Sequence, residues 1–307
     1  MEKALILTDG KAGHENQSKA LARALGLEVE ILPVAFKSKV AKALSYLFDR
    51  LNIHSSLLFR LAANLPSTEK FRVVIGTGSG VFYAVKVFSK KLAIPSAVVL
   101  YPRGYRILGF TCVLSPAFDR PKKSSNVVEI PVNLVSNDEK FYQAGVDQFL
   151  SRHTPSRGAV SVIVGGPNKR SSMSAEWIRG ELEKVFDENE GKEFWVTTSR
   201  RTPSDVEEVI DSFPFDYKLI YSREKFNPIP AFVKLAEKLY VTAESTGMLS
   251  EACTFGAAQV EVLDNLNQGK HKFRVFVDML KDGGYVGSSR KVDMSSLYAK
   301  ARCLLGL

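Results

Sequence analysis

The chain has 307 residues, of which 45% are hydrophobic and 24% are charged, and its net charge is +9 at pH 7. This composition is typical of folded globular proteins and excludes a disordered chain, and no apolar run approaches the roughly 18 residues of a membrane span. Since single domains usually contain about 100–200 residues, the length predicts two domains.

Cysteine usage indicates the compartment. Cys112, Cys253 and Cys303 are far apart in the sequence and form no CxxC pair. Such sparse cysteines favour a reducing compartment over a disulfide framework or a zinc site. The first apolar run is also too short for a secretion signal. We therefore expect a cytoplasmic protein, in which Cys253, among small and apolar neighbours, is a core residue rather than a nucleophile.

Short apolar runs alternate with longer helical patterns along the whole chain. The predicted strands are Ala4–Thr8, Val29–Pro33, Val73–Gly76, Ser96–Leu100, Cys112–Leu114, Val160–Val164, Phe194–Thr197, Lys218–Tyr221, Leu239–Thr242 and Gln259–Val262. This alternation is typical of parallel sheets with helices on both faces. The predicted fold class is therefore α/β, with one Rossmann-like layer in each half.

A polar stretch with Pro and Gly, residues 151–158, predicts the domain boundary. The N-terminal domain would cover residues 1–153. The C-terminal domain would cover residues 154–307 and include a terminal helix over Val292–Leu305.

The excess positive charge lies entirely in the first half. Residues 1–153 carry 21 Lys and Arg against 12 Asp and Glu, whereas residues 154–307 carry 21 of each. Within this half, Phe36–Leu65 has five basic residues and one acid, Asp49, and its apolar residues recur at helical spacing. A basic amphipathic helix can lie on an anionic membrane. The alternative is a packed helix with a solvated basic face.

The loop after the first predicted strand has the sequence DGKAGHENQ, residues 9–17. Its glycines allow a tight turn toward a ligand, and the helix that follows offers free N–H groups. His14 is a candidate base because histidine titrates near neutral pH, and Asp9 is an alternative base. His14 could instead only cap the helix or hydrogen-bond a neighbouring loop. A second glycine turn, IGTGSG at Ile75–Gly80, fits the dinucleotide signature poorly and is interpreted as a turn that lines the same crevice.

Three segments of the second half place polar groups after predicted strands. GGPNKR, residues 165–170, combines a glycine pair with two cations, and TSRRTP, residues 198–203, adds two arginines. A backbone nest and arginine side chains both suit phosphate. The third segment, VTAESTGMLSEACTFGA, predicts a helix from about Met248 with Glu251 in its first turn. This helix start could hold a diphosphate and Glu251 the ribose hydroxyls, unless Glu251 serves only the helix dipole.

Five segments of the chain carry a family resemblance: DGKAGHENQ, GGPNKR, TSRRTP, TAESTGMLSEA and an Asn227-Pro228 pair before a helix. Together they resemble the mitochondrial fission ELM family over most of the chain. That family resembles GT-B glycosyltransferases, most closely the lipid-intermediate N-acetylglucosaminyltransferase of peptidoglycan synthesis. The resemblance implies two Rossmann-like domains whose parallel sheets face a central cleft. The chain departs from the family pattern at Glu244-Ser245, where the family shows Asp-Ser.

The resemblance implies transfer of a sugar from a nucleotide diphosphate donor, UDP-linked, with His14 or Asp9 as the base and neither a metal ion nor an organic cofactor. The residues expected to bind the nucleotide and its diphosphate are Gly165, Gly166, Lys169, Ser199, Arg200, Arg201, Asn227, Ser245, Thr246, Gly247, Met248 and Glu251. The residues expected on the acceptor-side loop are Gly10, Gly13, Asn16, Gln17 and Gly78.

The expected partners are a nucleotide diphosphate sugar and a lipid-linked or anionic acceptor, with peripheral contact at the inner face of the membrane and no nucleic acid. Two alternatives stay open. One is a catalytically silent GT-B fold that acts as a membrane-associated scaffold. The other is a nucleotide-sugar epimerase or another Rossmann enzyme, which the poor dinucleotide signature disfavours.

Overall fold

The computed structural model describes residues 2–63, 71–136 and 138–307, and the chain divides into two compact units. The first unit comprises Met1–Asn137 and Asp293–Leu307, and the second comprises Asp138–Val292. None of the helices in the described ranges has the length and apolar character needed to cross a membrane.

The helices and strands follow one another in the alternation that the sequence predicts. The strands are β1 (Lys3–Thr8), β2 (Glu28–Phe36), β3 (Phe59–Leu61), β4 (Phe71–Thr77), β5 (Ser96–Val99), β6 (Cys112–Pro116), β7 (Val127–Ile130), β8 (Ala159–Ile163), β9 (Glu193–Thr197), β10 (Tyr217–Leu219), β11 (Lys238–Thr242) and β12 (Gln259–Leu263). The helices are α1 (Ala12–Ala24), α2 (Lys39–Arg50), α3 (Phe82–Leu92), α4 (Glu139–Leu150), α5 (Ala175–Glu188), α6 (Ser204–Ser212), α7 (Ile229–Leu235), α8 (Thr246–Thr254), α9 (Lys272–Asp282) and α10 (Ser295–Leu305).

The first unit contains a seven-stranded sheet in the order β3-β2-β1-β4-β5-β6-β7. Neighbouring strands pair in parallel, except that β2 and β3 are antiparallel. The central strands are buried on both faces, as Val73, Val74 and Ile75 of β4 show. The strand order reverses between β1 and β4, which leaves a crevice at the carboxyl ends of these two strands.

The second unit contains a five-stranded parallel sheet in the order β10-β9-β8-β11-β12. Its core packs β8, β9 and β11 against helices that include α5 and α6. The strand order reverses between β8 and β11, so the loops after these two strands border the second crevice.

The predicted fold class is confirmed, and each of the ten predicted strands is present. Two further strands are not predicted from the sequence. One is β3, which has three residues and lies in the basic stretch Phe36–Leu65 that was predicted as helical. The other is β7, a run of four residues after a polar loop. Residues 64 and 65 of the basic stretch lie outside the described residues.

The two units differ from the predicted domains at both ends. Helix α4 belongs to the second unit, where it packs on α7 so closely that a Cβ on Gly145 would lie 2.6 Å from Cβ of Pro230. Helix α10 returns to the first unit, where it contacts β6 and β7 and Arg302 donates a hydrogen bond to the Leu25 carbonyl. Residues 151–158 are polar because they form the turn from α4 into β8 within one unit.

Candidate functional site

Asp9 and His14 form a hydrogen-bonded pair at the carboxyl end of β1. Asp9 directly follows the strand, and His14 lies in the first turn of α1. Nδ1 of His14 lies 3.0 Å from Oδ1 and 3.1 Å from Oδ2 of Asp9. The His14 side chain is 23% exposed and the Asp9 side chain is 11% exposed, so both can be reached by a ligand.

The surroundings of Asp9 favour its carboxylate form. Burial alone would raise its pKa, but the Lys11 hydrogen bond and the charge and hydrogen bond of His14 outweigh burial, so the pKa is lowered. Nζ of Lys11 lies 3.1 Å from Oδ2 of Asp9. A carboxylate held ionised in this way can orient an imidazole and stabilise its protonated form.

The second glycine turn packs against this pair. Gly78 has φ +86°, and a Cβ there would lie 2.4 Å from Cε1 of His14. A Cβ on Gly80 would lie 2.8 Å from both Cβ and Oδ2 of Asp9. Glycine is required at both positions because the imidazole and the carboxylate lie directly on the backbone. The turn at Ile75–Gly80 is thus a platform for Asp9 and His14.

The other acceptor-side residues have unequal surroundings. Gly10 has φ +78° and is needed for the turn, whereas Gly13 is helical with open space around it. Asn16 is exposed, and Oε1 of Gln17 is buried with no hydrogen-bond partner among the described residues. A cavity of about 270 Å³ lies beside this loop. Its lining residues are Thr8, Asp9, Gly10, Pro33, Val34, Ala35, Arg60, Leu61 and Ala62.

The second unit has a larger cavity, of about 610 Å³, at the carboxyl ends of β8 and β11. Its lining residues are Asn168, Lys169, Arg170, Arg201, Glu244, Ser245, Thr246, Gly247, Met248, Lys272 and Phe273. The structure thus brings together Lys169, Arg201 and the predicted helix start at 245–248. The first turn of α8 has N–H groups without intrahelical acceptors, and with four cations around it the cavity suits an anion.

Gly165 and Gly166 do not form the predicted phosphate nest. The Gly165 N–H donates to Oγ1 of Thr242 at 2.9 Å, and the Gly166 N–H donates to Oε1 of Glu244 at 2.8 Å. Their backbone donors are therefore already used. A Cβ on Gly165 would lie 2.0 Å from Oε1 of Glu244, so the glycine permits close packing of two loops.

Glu244 is a cavity residue that the sequence analysis noted only as a departure from the family pattern. It is 3% exposed, and Oε1 accepts hydrogen bonds from the Gly166 N–H and from the hydroxyls of Thr242 and Ser245. Oε2 is buried and has no partner in the described part of the chain. A carboxylate oxygen in this position offers an acceptor to a ligand hydroxyl.

Glu251 lies in the second turn of α8, because the helix begins at Thr246 and not near Met248 as predicted. Oε1 of Glu251 accepts a hydrogen bond from the Tyr142 hydroxyl at 3.1 Å. Burial raises the pKa of Glu251 to about 7, although the Tyr142 hydrogen bond acts in the opposite direction. Tyr142 stacks on Phe255 with 3.7 Å between ring centroids, which fixes the hydroxyl. Glu251 is not among the residues that line the 610 Å³ cavity.

Three further predicted nucleotide residues are not among those that line the cavity. The hydroxyl of Ser199 accepts from the Arg201 N–H within the loop, and Oδ1 of Asn227 accepts from the Ile229 N–H at the start of α7. Arg200 is exposed. The sequence analysis missed Asn168, Lys272 and Phe273. The last two begin α9 after β12, so the same strand-then-helix pattern could have identified them.

The histidines and cysteines outside this region form no metal cluster among the described residues. His153 hydrogen-bonds the buried Glu193 carboxylate. Cys253 is buried, and burial raises its pKa to about 12, which makes it an unreactive core residue.

Comparison with solved structures shows a GT-B-like fold. The UDP-GlcNAc 2-epimerase from Methanocaldococcus jannaschii aligns with a TM-score of 0.55 at 14% identity, covering 99% of both chains. A putative UDP-N-acetylglucosamine 2-epimerase from Listeria monocytogenes aligns with a TM-score of 0.53 at 10% identity, covering 99% of this chain and 94% of the other. At these identities the likeness concerns the fold alone.

Sequence comparison places the chain in a family. An uncharacterized protein of Rickettsia prowazekii (strain Madrid E) is 27% identical over an alignment 313 positions long, which covers 90% of this chain and 87% of the relative. Residues 12–302 match the family model described as mitochondrial fission ELM1. The match spans nearly the whole chain and both units, and the chain therefore belongs to the mitochondrial fission ELM1 family.

Proposed function

We propose that this protein transfers a sugar from a UDP-linked donor to an acceptor hydroxyl. The observation that carries the proposal is the basic cavity at the β8/β11 reversal, which combines Lys169, Arg201 and the start of α8. Parallel α/β sheets bind ligands at such reversals, and helix starts bind phosphate groups. The first unit carries its ionisable pair, Asp9 and His14, at the equivalent reversal between β1 and β4.

In this proposal the diphosphate of the donor lies in the 610 Å³ cavity. The cations and the α8 N–H groups would stabilise the charge that develops on the diphosphate as it leaves. Oε2 of Glu244 would accept a hydrogen bond from a donor hydroxyl, because it is buried beside the cavity without a partner among the described residues. Glu251 lies outside the cavity lining, three residues after Met248 on α8, and would accept hydrogen bonds from a ribose that extends past the cavity.

The acceptor hydroxyl would bind on the first unit, beside the cavity lined by Asp9, Gly10 and Arg60. His14 would take its proton at Nε2, while Asp9 holds Nδ1. The acceptor oxygen then forms a bond to the anomeric carbon, and the bond from that carbon to the diphosphate breaks with its electron pair. Arg60 favours an anionic or lipid-linked acceptor, which would place a cytoplasmic protein at the inner face of a membrane.

Epimerisation is a second candidate. The two structures described above are named as UDP-GlcNAc 2-epimerases, and both share the fold over nearly the full chain. An epimerase of this kind would use the same donor cavity and no acceptor, so the two functions differ in their products.

Thermal denaturation with nucleotide diphosphates and UDP-sugars, followed by product analysis, tests the proposal. A ligand that binds the folded protein at about 100 times its Kd adds roughly 2.7 kcal/mol to the free energy of unfolding. We expect UDP and a UDP-sugar to raise the melting temperature, and acceptor-dependent release of UDP identifies transfer. Interconversion of the UDP-sugar without an acceptor would identify the epimerase. No response to any nucleotide would favour a catalytically silent scaffold.

A further inference from the structure

Helix α2 packs with its small and polar face inward. Its buried residues are Ala41, Ser45 and Asp49. Nζ of Lys86 lies 2.5 Å from Oδ1 of Asp49, and both side chains are almost fully buried. The Arg106 N–H donates to Oδ2 of Asp49 at 2.6 Å, and Ser45 hydrogen-bonds the Tyr105 hydroxyl at 2.8 Å. Because a buried charge without its partner is strongly destabilising, these contacts fix which face of α2 is buried.

The opposite face of α2 exposes Val40, Leu44 and Leu47, whereas Tyr46 and Phe48 at the sides of the helix pack against the core. Among the described residues, eleven large hydrophobic side chains are exposed, and seven of them fall within residues 40–61. They are Val40, Leu44, Leu47, Leu51, Ile53, Leu57 and Leu61, which we call the α2 apolar surface. Leu57 is 75% exposed and Val40 is 68% exposed. Scattered exposed leucines are ordinary, but a concentration in one segment indicates an interaction surface.

The charges beside this surface are of one sign. Lys37, Lys39, Arg50 and Arg60 are exposed, and within residues 36–63 the single acid is Asp49, which is buried against Lys86. A basic fringe of this kind attracts an anionic surface, whereas a second copy of this chain would bring positive charge against positive charge.

A polar cavity of about 490 Å³ adjoins the end of α2. Its lining residues are Asn52, His54, Lys86, Ser89, Lys90, Arg106, Ile107, Leu108 and Gly109. Lys86 is occupied by Asp49. Arg106 has its Nε 3.9 Å from the same carboxylate and donates from Nη2 to Oδ1 of Asn52, so an anion in the cavity would meet Lys90 and the exposed side of the Arg106 guanidinium. Leu108, at the rim, is 80% exposed. The cavity thus places cationic side chains beside an apolar rim.

We propose that the α2 apolar surface inserts into the interfacial layer of an anionic phospholipid membrane, with a lipid phosphate held in the adjoining cavity by Lys90 and Arg106. The arrangement matches amphipathic segments that lie in the plane of the interface, with leucines in the acyl boundary and cations at the headgroups. The inference does not depend on sugar transfer, because the same surface would anchor a catalytically silent protein.

Co-sedimentation of the full chain with vesicles tests the proposal. We expect the protein to bind vesicles of phosphatidylcholine with phosphatidylglycerol much more strongly than vesicles of phosphatidylcholine alone, and high salt should weaken the binding. Leu47→Ser/Leu57→Ser should lower the partition coefficient at least about ten-fold, because each leucine loses its apolar burial. The control Leu150→Ser/Leu235→Ser alters exposed leucines of the second unit and should bind normally.

The cavity is tested separately. The variants to compare are Lys90→Gln and Lys90→Gln/Arg106→Gln. The partition coefficient should fall about five-fold for each charge removed, which corresponds to about 1 kcal/mol per basic residue. Lys225→Gln/Lys281→Gln removes two exposed lysines of the second unit and should change binding little. Melting temperatures confirm that each variant is folded, and UDP affinity should be unaffected, which separates this test from that of sugar transfer.

Equal binding to neutral and anionic vesicles would overturn the proposal, as would normal binding by Leu47→Ser/Leu57→Ser. Light scattering without lipid provides the third check. A dimer that this double variant converts to a monomer would assign the α2 apolar surface to a second copy of the chain instead.

Discussion

Nδ1 of His14 lies 3.0 Å from Oδ1 of Asp9, so the two residues that the sequence leaves as alternative bases are hydrogen-bonded to each other. The contact gives them different roles in the proposed reaction. Asp9, whose pKa is lowered, is a weak base and holds the imidazole in one orientation. His14 keeps Nε2 for the acceptor hydroxyl.

His14→Gln should therefore lower kcat by about 10²–10⁴, the usual contribution of general-base catalysis, and leave UDP affinity almost unchanged. Asp9→Asn should lower kcat as well, because the imidazole loses the carboxylate that holds Nδ1. Steady-state kinetics across pH check both variants. Unchanged kcat in His14→Gln would remove His14 from the base role.

Gly78→Ala should greatly reduce turnover. The added Cβ would lie 2.4 Å from Cε1 of His14, and φ +86° is strained for alanine. Gly13→Ala is the matched control, because no atom lies within 4 Å of its added Cβ and the position is helical. Turnover and melting temperature should be measured for both variants. An equal effect of the two substitutions would contradict the argument that Gly78 is needed for packing against His14.

Glu251 should make both stability and nucleotide affinity depend on pH. Its folded pKa of about 7 exceeds its ordinary value of 4.5, so stability is lost as pH rises between these values and stays lower above pH 7. Glu251→Gln should be about 1–3 kcal/mol more stable than the wild type at pH 8 and similar to it at pH 4. Urea unfolding at the two pH values measures this difference.

UDP affinity should move in the opposite direction. In the proposed complex the ribose hydroxyls would donate to the ionised carboxylate, so wild-type affinity should rise from pH 6 to pH 8. Glu251→Gln should bind UDP more weakly at pH 8, with little dependence on pH. The same dependence on pH in both proteins would show that Glu251 does not contact the nucleotide.

Glu193 should stabilise the second unit above pH 4.5. Burial would raise its pKa, but hydrogen bonds from Trp195, Ser156 and His153 outweigh burial and lower the pKa to about 2. The resulting stability is present above pH 4.5 and lost as pH falls toward 2. Glu193→Gln should cost about 3 kcal/mol at pH 7 and much less near pH 2. The exposed Glu190→Gln is the control, and an equal loss in both would refute the assignment.

The sequence predicts most of the fold because each buried parallel strand is a continuous apolar run that local inspection can identify. It also places Lys169, Arg201 and Ser245–Met248 correctly at strand ends, since parallel strands bring their carboxyl ends to one edge. The boundaries of the two units are harder to predict from the sequence. Helix α4 packs on α7, and α10 on β6 and β7, through contacts between residues far apart in the sequence.

The remaining errors concern which partner a polar group has. The sequence of Gly165 and Gly166 predicts a backbone nest for phosphate. Their N–H groups instead donate hydrogen bonds to Thr242 and Glu244, which lie nearly 80 residues later in the sequence. The Tyr142 hydroxyl donates a hydrogen bond to Glu251, which lies 109 residues later in the sequence. The spacing of α2 predicts an amphipathic helix, yet the buried Asp49–Lys86 pair lies on its inward face and leaves Val40, Leu44 and Leu47 exposed.

Calorimetric titration of UDP into the wild type, Arg201→Gln and Arg200→Gln tests the central claim most directly, because the two arginines are adjacent in sequence and only Arg201 is among the residues that line the cavity. Hydrogen bonds to charged groups contribute about 1.5–3 kcal/mol, so Arg201→Gln should weaken UDP binding by about ten-fold to over a hundred-fold. Arg200→Gln should bind as the wild type does. An absence of UDP binding to the wild type, or equal losses in the two variants, would contradict a diphosphate site at this cavity.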